Sequence, residues 1–464
     1  MNAAPKVAIA GAGLAGLSAG CALADAGFQV TILEKRPYVG GRASSYEHPG
    51  TGEVVDNCQH VLLGCCTNLI DFYRRIGVEQ KIRWYDRLTF LEPGGRRSDI
   101  EPSFLPAPFH NTLSFLAAHS LGLGDKMAIG HALMSIMRNL PEETDEPFLA
   151  WLKSKRQTQR AIDRFWKVVL VSALNEDLDR MSIRYAAQVF RESFLKSAAG
   201  GRMGIPNVPL TELYGAAGEY IRTRGGEVRL RAGVDAIKPE ANGARLCVTG
   251  GELLADYAIS ALPFQALEKV LPQDDAAGPL RRMLGRFETS PITGIHFWFD
   301  RQITDLEHAV LLDRTIQWMF HKSKLHAQGS EAAHGGSYVE LVVSSSKSLV
   351  DKSRNDILDL ALRELEEFFP GVANAKVLKS TVIKELHATY SALPESDEYR
   401  PGNGTAWPRL FLAGDWTATG WPATMEGAVR SGYMAAEALT KAISRTQRFL
   451  IPDLPPSGLM RLFG

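Results

Sequence analysis

Lys6-Val-Ala-Ile-Ala-Gly11-Ala-Gly13-Leu14-Ala15-Gly16 is the stretch that decides the fold. Its apolar opening reads as a buried parallel strand, and the glycines read as a tight turn into a helix over 14–24. Gly11 permits the turn, Gly13 lets the backbone approach a pyrophosphate, and Gly16 lets the helix pack on the strand. The first helical turn, starting at Leu14 and Ala15, aims unpaired N–H groups at the phosphate charge.

A second strand over 29–33 ends in Glu34, which follows Gly11 by 23 residues, the spacing of a carboxylate that binds a ribose hydroxyl. The same charge repels a 2′-phosphate. The segment Lys35-Arg-Pro-Tyr-Val-Gly-Gly41-Arg42 comes next. Its glycine pair allows close backbone approach, and Arg42 offers a rigid fork of donors to phosphate oxygens, so Lys35, Gly41 and Arg42 join the expected cofactor contacts.

Some four hundred residues later the chain reads Leu410-Phe-Leu-Ala-Gly414-Asp415-Trp416, then Gly420-Trp421-Pro422-Ala-Thr-Met425-Glu-Gly427. An apolar strand ends at Gly414, Asp415 can accept from a polyol hydroxyl, and a helix starts near Met425 after Pro422. That helix start places N–H groups against an electron-rich ring edge. A dinucleotide cradle split so widely points to FAD. Between the halves, 227–230 followed by Val234 reads as a strand-turn pair of the same domain, with Val234 a further cofactor contact.

Composition bounds the rest. At 464 residues, 45% apolar and 22% charged, the chain has core enough for two or three domains. Lys plus Arg and Asp plus Glu both number 52, which leaves no net charge to attract nucleic acid. Cys21, Cys58, Cys65, Cys66 and Cys247 form no CxxC pair and their odd number argues against a disulfide framework. No histidine or cysteine spacing suits a metal, so none is expected. The N-terminal apolar run belongs to the Gly pattern and is not a secretory signal, which implies a cytoplasmic protein.

The expected organisation is discontinuous: an α/β Rossmann-type FAD-binding domain at 1–80, 201–290 and 401–445, with an inserted α+β substrate domain. The insertion comprises a mainly helical part at 81–200, with helices over 151–174 and 183–195, and a sheet at 291–400 built from strands over 294–299, 338–343 and 382–386. A tail occupies 446–464. The stretch 102–124 contains no Asp, Glu, Lys or Arg but is broken by prolines, so it reads as a loop and helix that touches a bilayer rather than a span. The tail, mixing apolar and basic residues, is the other candidate for that contact.

The Gly loop, the Glu34-to-Arg42 segment and the Gly414-to-Gly427 segment together resemble the amine oxidase and phytoene desaturase superfamily of flavoproteins. Within it, Asp56-Asn-Cys58-Gln59-His60 and Gly420-to-Arg430 resemble the squalene-associated FAD-dependent desaturases of hopanoid synthesis, the hydroxysqualene dehydroxylases. That branch carries Gly where this chain has Cys58. The resemblance implies reduction of the allylic alcohol hydroxysqualene to squalene by reduced FAD, with release of water. It places His60 beside the isoalloxazine as proton donor, with Asp56 the weaker candidate and Gln59 at the cavity. Trp416, Trp421 and Tyr433 would line that cavity and stabilise an allylic cation through their faces. The electron donor would be a separate partner, since no second GxGxxG follows a strand downstream.

Other readings keep the scaffold. A carotenoid-type desaturase would move the hydride the other way, and an amine or protoporphyrinogen oxidase would use oxygen. A non-catalytic prenyl-lipid carrier would need no intact flavin site, which the Gly11-to-Gly16 loop argues against.

Overall fold

The run that opens the chain forms the strand Lys6–Ala10, the middle of a five-stranded sheet. The computed structural model describes residues 4–326 and 336–463. The sheet order is Glu227–Arg229, Gln29–Leu33, Lys6–Ala10, Tyr257–Ser260, Leu410–Leu412, and every pairing is parallel. In chain order this is 3-2-1-4-5, so the order reverses beside Lys6–Ala10. Gly11 leaves the sheet there, where an open α/β fold binds its ligand.

Period-two alternation covers both faces. Val7 and Ile9 pack toward helices Leu14–Asp25, Leu210–Arg222 and Met425–Ala442. Ala8 and Ala10 pack toward the antiparallel sheet that includes Gly243–Val248. The helices Leu14–Asp25 and Met425–Ala442 touch backbone to backbone: a Cβ at Gly432 would lie 2.3 Å from the Ala15 carbonyl oxygen.

A seven-stranded sheet forms the second domain, in the order Val377–Tyr390, Thr289–Phe299, Ser337–Ser344, Trp318–His321, His308–Leu311, Leu88–Leu91, Arg97–Ile100. On one face Ile295, Phe297, Val339 and Leu341 pack against helix Arg354–Phe368. The other face, carrying Trp298, Tyr338 and Val342, turns toward the segment that holds Val55 and Cys58.

The discontinuous Rossmann-type α/β domain with an inserted α+β domain is the observed architecture. The segment 81–200, read as mainly helical, also contributes Leu88–Leu91 and Arg97–Ile100 as strands of the seven-stranded sheet. The two strands are only four residues each and form a local antiparallel hairpin, while Phe90 and Leu91 find their other partners more than two hundred residues away, at Val310 and Leu311. The expected helix over 151–174 is also interrupted. Phe148–Ser154 stops before Arg156, which has φ 54°, and the chain resumes at Gln159–Ala161 and runs into Lys167–Leu174. Trp166 and Phe190 anchor that helical core.

Candidate active site

The cradle assembles from its glycines. A Cβ at Gly16 would lie 2.0 Å from the Gly11 carbonyl oxygen, whereas one at Gly13 meets nothing nearer than Gly41 Cα at 3.8 Å. Gly16 is thus demanded by packing, and Gly13 leaves open backbone for a ligand. Glu34 is buried at the end of its strand and accepts from the N–H groups of Ala12 and Arg36, both at 2.9 Å. Gly13 bridges to Gly40, which brings the Gly41-Arg42 segment against the turn.

Arg42 joins the two distant halves. Its guanidinium pairs with the Asp415 carboxylate and donates to the Ala388 carbonyl at 3.2 Å. Gly414 donates its N–H to Ser431 Oγ at 2.8 Å. Pro422 is buried, and Thr424 caps the next helix by accepting from the Gly427 N–H at 3.0 Å. Met425 opens that helix, and its sulfur accepts from the Tyr214 hydroxyl at 3.4 Å. Leu14 and Ala15 are buried in the first turn of their helix. Val234 begins the strand Val234–Glu240, and a Cβ at the preceding Gly233 would lie 3.4 Å from Cβ of the exposed Lys35.

The loop after Val54–Asp56 borders this cradle. Asn57 donates to the Arg42 carbonyl at 2.9 Å and accepts from the Ser44 N–H at 3.2 Å. His60 is half-buried, with Nδ1 2.7 Å from the Cys58 carbonyl. Nδ1 therefore donates, and no described residue bonds Nε2. Burial lowers the His60 pKa below its ordinary 6.5, and the Cys58 carbonyl opposes this only in part. Gln59 accepts from Lys322 Nζ at 2.7 Å.

Asp56 was the second candidate acid, and its surroundings remove it from that role. Its carboxylate accepts from Lys322 Nζ at 2.6 Å, from the Ser45 hydroxyl at 2.5 Å and from the Leu210 N–H at 3.2 Å. Burial pushes its pKa up, but the Lys322 charge and these hydrogen bonds outweigh burial and hold it at about 2. It has no proton to give near neutral pH and acts as an anchor for the loop.

Two of the three aromatic cavity candidates sit in the core. Tyr433 is fully buried among the Rossmann helices, where its hydroxyl donates to Asp71 at 2.9 Å. Trp416 is buried beneath the sheet and donates to the Leu262 carbonyl at 3.1 Å. The Trp421 ring already carries the Arg430 guanidinium, 5.5 Å from its centroid. Trp416 and Tyr433 are thus held in the core, and Trp421 has one ring face engaged by Arg430.

Several site residues escape a reading of local spacing. Lys322, Glu340 and His296 lie under the Asp56-to-His60 loop, more than two hundred residues away in sequence. Glu426 is buried and accepts from the Asn68 and Leu69 N–H groups at 3.2 and 2.8 Å, so it caps helix Thr67–Arg75 from across the domain. No motif announces these pairings.

The residues present suit a dinucleotide: an acidic residue at the second strand end, open backbone at Gly13, and a helix N-terminus at Met425. These features define a flavoprotein whose cofactor is FAD. A family model for flavin containing amine oxidoreductases matches residues 14–440, and the chain belongs to that family. It is similar to a 15-cis-phytoene desaturase of Synechococcus elongatus, 28% identical over 465 residues, which cover 96% of this chain and 97% of the relative. A zeta-carotene desaturase of Synechocystis is 26% identical over 482 residues, covering 95% and 98%. Among solved structures, an oxidoreductase from Methanosarcina mazei matches with a TM-score of 0.71 at 20% identity, over 92% of this chain and 98% of that one. A putrescine oxidase bound to putrescine matches at 0.70 and 16%, over 95% and 98%. These likenesses establish the shared fold.

Proposed function

We propose that this chain moves a hydride between FAD and a long-chain isoprenoid, and that its reaction is the reductive dehydroxylation of hydroxysqualene to squalene and water. Two desaturases of isoprenoid polyenes matched nearly end to end support the substrate class. The observation that carries the step from desaturation to dehydroxylation is His60, whose Nε2 has no partner among the described residues at the edge of the cradle. A departing hydroxyl needs a proton, whereas desaturation releases one. Reduced flavin, when bound, supplies the hydride at N5. The protein's share is to place His60 and keep water from the cation.

Because the charged form of His60 is disfavoured by burial, only a minority of molecules carry the acid at neutral pH. Turnover is therefore expected to rise as pH falls below about 6.5, the ordinary imidazole value. His60→Ala should lower it by roughly a hundredfold or more while the flavin absorbance persists. A flat profile and unchanged turnover would remove His60 as the acid. The reaction itself is tested by incubating the purified protein, reduced without oxygen, with hydroxysqualene and separately with phytoene, then analysing the lipids. Squalene from the first and no product from the second supports dehydroxylation. Dehydrogenated phytoene from the oxidised protein, with no squalene, would establish the desaturase instead.

The two apolar segments expected to meet a bilayer lie together. The tail residue Leu459 donates its N–H to the Ala107 carbonyl at 2.9 Å, and Phe104, Leu116 and Leu462 are 90%, 52% and 79% exposed. No helix among the described residues is long and apolar enough to cross a membrane. We assign this shared surface to peripheral contact that brings the oily substrate to the site. Leu116→Glu with Leu462→Glu should weaken binding to liposomes at least tenfold, since each leucine contributes on the order of 1.5 kcal/mol or more when buried in lipid. Undiminished sedimentation with liposomes would reject the assignment.

A further inference from the structure

The sheet face turned toward the flavin cradle carries a buried polar group at its centre. There His296 and Glu340 stand opposite each other on strands Thr289–Phe299 and Ser337–Ser344. Both are fully buried, as is Lys322. The loop above them is in contact: a Cβ at Gly294 would lie 3.3 Å from the Asn57 carbonyl oxygen and 3.4 Å from His296 Nε2.

Counting charges in this enclosure leaves one proton unassigned. Lys322 supplies a single positive charge, and Asp56 takes it at 2.6 Å, while Glu340 lies farther off at 3.5 Å. Neither Glu340 oxygen has a hydrogen-bond partner, and neither does His296 Nε2. Burial favours the neutral form of this second carboxylate while the nearby Lys322 charge favours the ionised one, so a change of charge in the cradle moves it between the two. Other titratable groups face the same space. Tyr338 on the same strand bonds His296 Nδ1 at 3.0 Å, Cys58 and His60 sit on the loop, and His326 follows helix Lys322–Leu325. On the flanking strand Val377–Tyr390, Glu385 pairs in register with Ile292, and Thr381 holds the His48 ring at 3.0 Å. Burial holds His296 and His326 well below the ordinary imidazole range, so neither brings a further positive charge. Burial also pushes Glu340 up to about 7, with Lys322 opposing it.

We propose that Glu340 is a redox-linked proton site of the flavoprotein, binding a proton from solvent when the flavin gains two electrons and releasing it on reoxidation. Electrons enter and leave only at the cofactor. At Glu340 one O–H bond forms or breaks, and the proton offsets the negative charge that reduction places in the cradle. The surplus proton then stands ready within the site whenever the enzyme is reduced, the state in which a dehydroxylation would consume one. The inference needs the flavin but not the identity of the substrate, so it fails separately from the function proposed above.

The test is proton uptake by the flavin-loaded protein during two-electron reduction with a dye couple in weakly buffered solution near pH 7. Wild type should take up measurably more protons than Glu340→Gln, and Glu340→Asp should restore part of the difference. Equal uptake by wild type and Glu340→Gln would overturn the proposal. Should Glu340→Gln not fold, infrared difference spectra of wild type with isotope-labelled glutamate decide the matter. A carboxylic acid band at the frequency of an unbonded group should grow on reduction, and no such change would overturn it.

Discussion

Gly13→Ala is expected to give a folded, colourless protein. A Cβ there meets only Gly41 Cα, at 3.8 Å, so the chain can accept it, yet it fills the backbone opening through which a pyrophosphate approaches. Flavin affinity should fall roughly a hundredfold, about 2.7 kcal/mol, read from flavin absorbance after gel filtration and from titration of the apoprotein. Gly16→Ala should lose flavin for another reason. Its Cβ would lie 2.0 Å from the Gly11 carbonyl oxygen, a backbone atom that no rotamer change can move aside, so the turn itself must open. Overpacking of this kind costs about 1–3 kcal/mol and should appear as a lower denaturation midpoint, which Gly13→Ala should not show. A Gly13→Ala protein that remains yellow would dissociate this turn from the cofactor.

The contrast between these glycines marks what a linear reading captures. The nucleotide turn, Glu34 and the helix start at Met425 are legible because each uses contacts within a few residues, or a spacing set by one strand-helix-strand unit. Arg42 and Asp415 were each expected at the cofactor, but their direct pairing across 373 residues follows only once the parallel sheet brings both strand ends together. Trp416 and Tyr433 misled for a related reason. An aromatic beside a cofactor motif has the same composition whether it faces a cavity or the core, and here Leu262 and Asp71 decide by accepting their polar atoms. The strands at Leu88–Leu91 and Arg97–Ile100 were missed although they pair locally, because four residues each make a weak signal until Val310 and Leu311 extend the sheet from far downstream.

Lys322→Met should be the most destabilising single change at the site. It removes the only cation among the described residues within hydrogen-bond distance of the buried Asp56 carboxylate, and deleting one partner of a buried pair costs about 3–5 kcal/mol. The pH dependence separates this from simple loss of packing. In wild type, Asp56 is held at about 2, below its ordinary 3.8, so its stabilisation is present above pH 3.8 and is lost as pH falls toward 2. That contribution is on the order of 2 kcal/mol. Without Lys322, burial is opposed only by the Ser45 and Leu210 hydrogen bonds, so the Asp56 pKa rises and the variant folds at least cost when Asp56 is neutral. The stability gap between wild type and variant should therefore be widest near pH 7 and shrink toward pH 4, as read by urea denaturation at both values. Glu340 has the opposite sign. Its pKa is raised to about 7 from an ordinary 4.5, so its contribution is complete below pH 4.5 and is lost as pH rises through 7. Glu340→Gln should thus be more stable than wild type at pH 8, where Lys322→Met is far less stable. A Lys322→Met gap that does not change with pH would mean that packing, and not the charge of Asp56, is what Lys322 protects.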